Sequence, residues 1–224
     1  MADERADAGG GLAPQLTDTG RVEAFSDGVF AIVVTLLVLD LKEPAHAEGE
    51  LLRGLIAQWP AYLGYLASFL YVAVIWLNHH QAFAAIRRVD RGVHLANLTL
   101  LCTTALLPFP TAVLSHAFAA GVDSTDTRTA VVLYAGIAVA MCASWLLLYD
   151  QVYRRRDLLV QTSIDPKAFG ANRSRAVAGV IAYTFAGVIG SLWLPVAALV
   201  IFVAMPFFYA VTIQRAKAPG KNHP

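Results

Sequence analysis

Long apolar intervals alternate with short clusters of charge along the whole chain. The intervals run from Val22 to Leu41, Leu55 to Ile86, Val93 to Phe118, Thr129 to Tyr153 and Ala176 to Ile213. A helix needs roughly 20 apolar residues to cross about 30 Å of hydrocarbon, so each interval predicts at least one membrane span. The interval from Leu55 to Ile86 exceeds the length of one crossing. The last has 38 residues and is interrupted at Gly190-Ser191 and Pro195, which predicts a tight hairpin of two spans. The expected fold is therefore all-α, a six-helix transmembrane bundle. No fixed-period repeat is visible, and FSDG occurs once.

Composition supports the membrane assignment. The chain is 57% hydrophobic and 15% charged, with a mean hydropathy of +0.56; a soluble domain carries about 25% charged residues. The net charge of +1 offers no bulk field for nucleic acid. Cys102 and Cys142 both lie inside apolar runs and read as small core or lipid-facing residues, not as a disulfide or metal pair.

Charge placement sets the expected topology. With six spans, all 17 Lys and Arg residues fall on one side except Lys42, Arg53 and Arg128. That bias predicts a multi-pass protein of the cell membrane with both termini cytoplasmic. Residues 1–18 are rich in Ala, Gly, Asp and Glu without an apolar core, which predicts a disordered cytoplasmic tail and not a signal peptide. Residues 215–224 read as a basic cytoplasmic tail, leaving 19–214 as the membrane domain.

Polar residues inside the spans are the candidate chemistry. Asp27 lies about 7–8 Å into the first span at 1.5 Å per residue, beside Ser26, and an ionisable residue at that depth faces protein or water. The span that follows ends in WLNHHQAF, and the third carries Asn97 near its start. Antiparallel packing puts Ser26, Asp27, Trp76, Asn78, His79, His80 and Asn97 in one inner layer. One reading is a hydrogen-bond network that fixes helix packing, with Asp27 accepting from imidazole and indole donors and from Ser26. The other is a proton relay, gate latch or metal site. Adjacent His79 and His80 project about 100° apart on a helix, whereas a helical metal pair is spaced by three or four, so no metal site is expected.

Further along the first span, Ile32, Leu36 and Leu39 form a narrow stripe with Thr35 on its edge. Such a stripe serves helix packing or lipid contact, or else lines a hydrophobic constriction; periodicity leaves both open. Asp40 closes the span, either as a cation-concentrating group or as an ordinary interfacial carboxylate. In the third span, Pro108 and Pro110 of LLPFPT remove two backbone donors and predict a bend.

The segments RVEAFSDGVFAIVVTLLVLDL, WLNHHQAF and LLPFPT resemble the first three helices of the transmembrane protein 175 potassium-channel family, in its prokaryotic six-helix branch. The resemblance covers the first half of the chain; the later spans match in number and hydropathy only. It implies a potassium-selective homotetramer with four copies of the first helix around the pore and no TVGYG filter, a motif this sequence also lacks. It further implies that the pore constriction falls on Ile32, with Leu36 and Leu39 further outward, and a selectivity-related threonine on Thr35. Arg21, Phe25, Ser26 and Asp27 match the family's RxxxFSD element, which packs against the second and third helices; Trp76, His79 and His80 match its partners. The implied partners are potassium ions in transit, membrane lipid and other copies of the chain, with no cofactor.

Two rival functions have sequence support. A proton-coupled or proton-leak transporter would use Asp27 and the His79/His80 pair, although the inverted repeats of many transporters are missing. An intramembrane enzyme would use the same groups for acid–base work, but no metal-ligand spacing, nucleophile elbow or phosphate loop accompanies them.

Overall fold

The computed structural model describes residues 17–160 and 166–212. Apart from Thr17 and Asp18, the two expected tails therefore lie outside the described residues.

Helix α1 spans Thr19–Leu37 and continues as a 3₁₀ turn over Val38–Asp40. Asp18 caps it: its carboxylate accepts from the Gly20 amide at 3.2 Å, satisfying one of the donors a helix start leaves free. Helix α2 (Leu51–Ala57) is short and exposed, and α3 (Trp59–Ala84) follows it. The long Leu55–Ile86 interval thus holds the end of a short helix plus one stretch long enough to cross a membrane. Pro60 sits in the first turn of α3, where its missing N–H costs nothing.

Helices α4 (Arg91–Ala105) and α5 (Pro108–Ala120) together form the third stretch long and apolar enough to cross a membrane. They are separated at Leu106-Leu107, directly before the two expected helix-bending prolines. Helix α6 (Thr125–Arg154) starts on Ser124, whose hydroxyl accepts from the Thr127 amide at 3.1 Å. A single turn, α7 (Arg156–Leu159), precedes α8 (Pro166–Leu192) and α9 (Pro195–Val211).

Five of these stretches are long and apolar enough to cross a membrane: Thr19–Asp40, Ala61–Ala84, Arg91–Ala120, Thr125–Arg154 and Gly170–Leu192. Helix α9 is apolar but has 17 residues, about 25 Å at 1.5 Å per residue. The final hairpin differs from expectation in two places. Helix α8 begins well before Ala176, so Arg173 and Arg175 stand on a helix instead of in a loop. It also runs through Gly190-Ser191 and breaks only at Trp193-Leu194.

Gly190 therefore has a packing role, not a breaking one. A Cβ there would lie 2.5 Å from the Ala198 Cβ and 2.7 Å from Val131 Cγ1, so its bare Cα lets α6, α8 and α9 approach closely. Gly190→Ala is expected to destabilise the fold by about 1–3 kcal/mol through overpacking. Gly136→Ala, where a Cβ meets nothing within 4 Å, is the matched control, and thermal melts of the two in detergent should separate them.

The core lies among α3, α4, α6, α8 and α9, where Tyr71, Leu100, Met141, Leu148 and Tyr183 are fully buried. Helix α1 packs on α3 and α4 at the side of this core. Its N-terminal end is pinned by backbone as well. Two-residue strands Thr17–Asp18 (β1) and Arg88–Val89 (β2) pair antiparallel, and Thr19 Oγ1 donates to the Ile86 carbonyl at 3.1 Å. The Arg87 amide in turn donates to the Leu159 carbonyl at 2.8 Å. Asp90 caps α4 through the Val93 amide (2.9 Å) and is bound by Arg155 Nη1 at 2.6 Å.

Candidate functional site

Helix α1 has two unlike faces. Thr19, Val22, Ser26, Phe30, Val33 and Leu37 are buried against the rest of the chain. The opposite face, with Arg21, Phe25, Gly28, Ile32, Thr35, Leu36 and Leu39, is exposed. At 100° per residue these positions share one stripe along the helix. Its large apolar members are markedly open: Phe25 58%, Ile32 60%, Leu36 43% and Leu39 68% exposed. Thr35 Oγ1 donates to the Ile32 carbonyl at 2.8 Å, which leaves the exposed hydroxyl oxygen able to accept as well. Among the described residues no element covers the stripe.

The N-terminal half of α1 is held by side chains in two sets. The first is a pair of rungs between antiparallel α1 and α3. Trp76 Nε1 donates to Asp27 Oδ1 at 2.8 Å, and His80 Nδ1 lies 2.8 Å from Glu23 Oε1. Glu23 and Asp27 are four residues apart, as are Trp76 and His80, so each pair shares a helix face. The indole and imidazole rings stack, with centroids 6.0 Å apart and planes inclined by 23°.

The other set is a buried chain from α3 through α4 to α1. His79 Nε2 donates to Asn97 Oδ1 (2.9 Å), Asn97 Nδ2 donates to Ser26 Oγ (3.0 Å), and Ser26 Oγ donates to the Val22 carbonyl (2.8 Å). His79 is wholly buried. Its ring stacks on Phe83 at 4.3 Å and meets the edges of Phe30 and Trp145. Its Nδ1 has no polar partner among the described residues.

Most of the expected inner layer is thus brought together, with three changes. Among the described residues Asp27 is reached by the indole alone; neither histidine nor Ser26 donates to it. Asn78 faces away, donating to the Val74 carbonyl at 2.7 Å and accepting from Arg175. Two residues beyond Trp76 it is rotated by about 200°, nearly the opposite direction. Arg21 and Phe25 stand on the open stripe and not in the network. Glu23 is the partner that sequence reasoning missed, although its four-residue spacing from Asp27 was the available signal.

At the other end of α1, Asp40 Oδ1 lies 3.7 Å from His116 Nε2 of α5. A cavity of about 340 Å³ opens there, bounded by Leu36, Leu39, Asp40, Lys42, Phe109 and Ser115 among others. The proline-flanked start of α5 forms one wall of it. The start of α5, directly after the helix break that precedes Pro108, thus lies beside the C-terminal half of the stripe.

Residues 21–108 match the family described as "Endosomal/lysosomal potassium channel TMEM175". A potassium channel of Streptomyces collinus is 40% identical over 169 residues, covering 75% of this chain and 80% of the relative. The human protein described as an endosomal/lysosomal proton channel is 40% identical over 97 residues, 39% of this chain but only 19% of that protein. Among solved structures, the crystal structure of a "lysosomal potassium-selective channel TMEM175 homolog" from Chamaesiphon minutus is similar with a TM-score of 0.74. Its identity is 32%, over 86% of this chain and 96% of that one.

Proposed function

The chain belongs to the TMEM175 potassium-channel family, and from that premise we propose that it conducts potassium passively through a pore lined by four copies of α1. The observation that carries this reading is the open stripe on α1, continuous from Arg21 to Leu39 and uncovered among the described residues. One helix face cannot enclose a path for an ion. Four copies around an axis turn it into a wall.

In that assembly the Ile32 side chains close a dry neck, with Leu36 and Leu39 extending the apolar wall outward. A neck of this kind gates by excluding water. Opening widens or rotates the α1 helices, and Thr35 hydroxyl oxygens then serve as ligands for a partly dehydrated potassium ion. No charged ring lies at the neck and no carbonyl filter is proposed, so selectivity over sodium is modest. Asp40 at the outer end raises the local cation concentration. Helix α9 completes a sixth crossing, and both termini lie in the cytoplasm, as the arginine distribution favours.

The proton-relay alternative gains little from the geometry. Asp27 and His79 do not contact one another, and His79 Nδ1 ends in an apolar pocket. The inner polar groups read better as an anchor for α1.

Reconstitution in liposomes tests the proposal. Potassium flux is expected to exceed sodium flux, to rise linearly with driving force and not to saturate. A pH-sensitive dye in the same vesicles reads any proton passage separately. Potassium flux no greater than that of empty vesicles under every condition tried would sink the channel reading.

A further inference from the structure

Arg175 is a charged residue within the fifth crossing whose side chain serves three elements at once. It stands on α8 and is half-buried. Its Nη2 donates to the Tyr209 carbonyl on α9 at 2.9 Å and to Asn78 Oδ1 on α3 at 3.2 Å; its Nη1 donates to Asn172 Oδ1 on its own helix at 3.2 Å. Among the described residues no carboxylate lies within ion-pair reach of it. The nearby inner carboxylate, Asp150, is taken by Arg154 (2.8 Å) and Arg173 (3.8 Å). A guanidinium on a membrane-spanning helix is costly unless its donors are satisfied, so its partners define what it is for.

Two of those partners belong to the last hairpin. The Tyr209 carbonyl lies in the final turn of α9, where a cation and a donor are both favourable. The Tyr209 ring lies under the guanidinium at 5.7 Å. The hairpin is shaped for this ring: Gly179 sits where any Cβ would collide with the Tyr209 hydroxyl. The third partner is different. Asn78 stands between Trp76, which holds Asp27, and the histidines that reach Glu23 and, through Asn97, Ser26.

We propose that Arg175 is a positioning residue for conduction: through Asn78 it braces the 76–80 segment of α3, and so the inner anchor of the pore helix α1, against the α8–α9 hairpin. The inference rests on α1 lining the pore. The brace holds the anchor in its resting position from the side opposite to α1. Its rigid fork spans three acceptors on three helices, a task a lysine ammonium performs poorly.

Single-channel recording of the full-length protein in planar bilayers tests this. Asn78→Ala removes the link to α3 while leaving Arg175 its bonds to Asn172 and Tyr209. It is expected to raise open probability about threefold or more, a typical coupling effect, with unitary conductance unchanged. Asn172→Ala removes an acceptor that leads nowhere and is expected to leave open probability at the wild-type value. Should Asn78→Ala not assemble, Arg175→Lys is expected to give the same rise. Wild-type open probability in the assembled link variant, or an equal rise in Asn172→Ala, overturns the brace. The brace and the pore assignment fail separately. If α1 does not line the pore, Ile32→Asn leaves flux unchanged; if only the brace is wrong, Ile32→Asn raises flux while Asn78→Ala does nothing.

Discussion

Ile32→Asn is expected to raise potassium flux through reconstituted protein at least tenfold. Ile32 sits midway along the open stripe of α1 with 60% of its surface uncovered by its own chain. In a fourfold arrangement four such side chains meet around the axis. Water entering that ring loses hydrogen bonds, and an ion following it loses hydration, so the closed neck is a free-energy barrier. A tenfold gain in rate needs about 1.4 kcal/mol off the barrier, about 0.35 kcal/mol from each of four side chains. A carboxamide supplies donors and acceptors that an isoleucine lacks, and a single net hydrogen bond is typically worth about 1 kcal/mol. The expected gain is therefore a lower bound. Ile181→Asn is the control: Ile181 is 64% exposed but lies on α8, away from the stripe. Equal flux in both variants removes Ile32 from the neck.

Asn97→Leu is expected to be the most damaging change in the inner anchor. The amide serves both directions, accepting from His79 and donating to Ser26. Leucine is of similar size but leaves the His79 Nε2–H unpaired among Phe30, Phe83 and Trp145. An orphaned buried donor together with the lost bonds costs about 2–4 kcal/mol. At roughly 2–4 °C per kcal/mol for a chain of this size, the midpoint of thermal unfolding should fall by several degrees. Trp76→Phe loses only the partly exposed bond to Asp27 and keeps an aromatic ring, at a cost of about 0.6 kcal/mol. A Trp76→Phe loss as large as that of Asn97→Leu would contradict the two-set description of the anchor. Because the buried chain ties α1 to both α3 and α4, Asn97→Leu should also disturb flux in protein that does assemble.

Depth in the membrane was legible in the sequence; direction was only partly so. Counting along the spans places Ser26, Asp27, Trp76, His79 and Asn97 in one inner layer, and the folded chain joins them there because an antiparallel hairpin brings equal depths together. The same count adds Asn78, which points the other way. Two residues on a helix differ by about 200°, so equal depth and equal partner are separate matters. Glu23 and His80 illustrate the converse. Their rung repeats the Asp27–Trp76 rung one turn away, and a helical projection of both segments predicts it once the first contact is known.

Arg175 was out of reach for another reason. The charge cluster preceding the last interval reads as a loop, since arginines lower hydropathy. In the folded chain α8 begins at Pro166 and carries Arg173 and Arg175 in its first three turns. Arg173 reaches Asp150 and Arg175 reaches α3 and α9. A hydropathy window averages over such residues and cannot show which one has partners.

By itself, the sequence determined that this is a multi-pass helical membrane protein of the TMEM175 family, roughly where its chain crosses, and which polar residues share a depth. Those properties follow from composition, run length and motif, all of which are local. The tertiary structure decided which face of α1 is covered. Ser26, Phe30 and Val33 turn inward because α3 and α4 offer them partners, and Ile32, Thr35, Leu36 and Leu39 are left open by the same rotation. In a bilayer, apolarity alone gives a helix no preferred face, since lipid and protein are equally apolar. The few buried hydrogen bonds at the inner end fix the rotation, and with it the side of α1 proposed to face the ion.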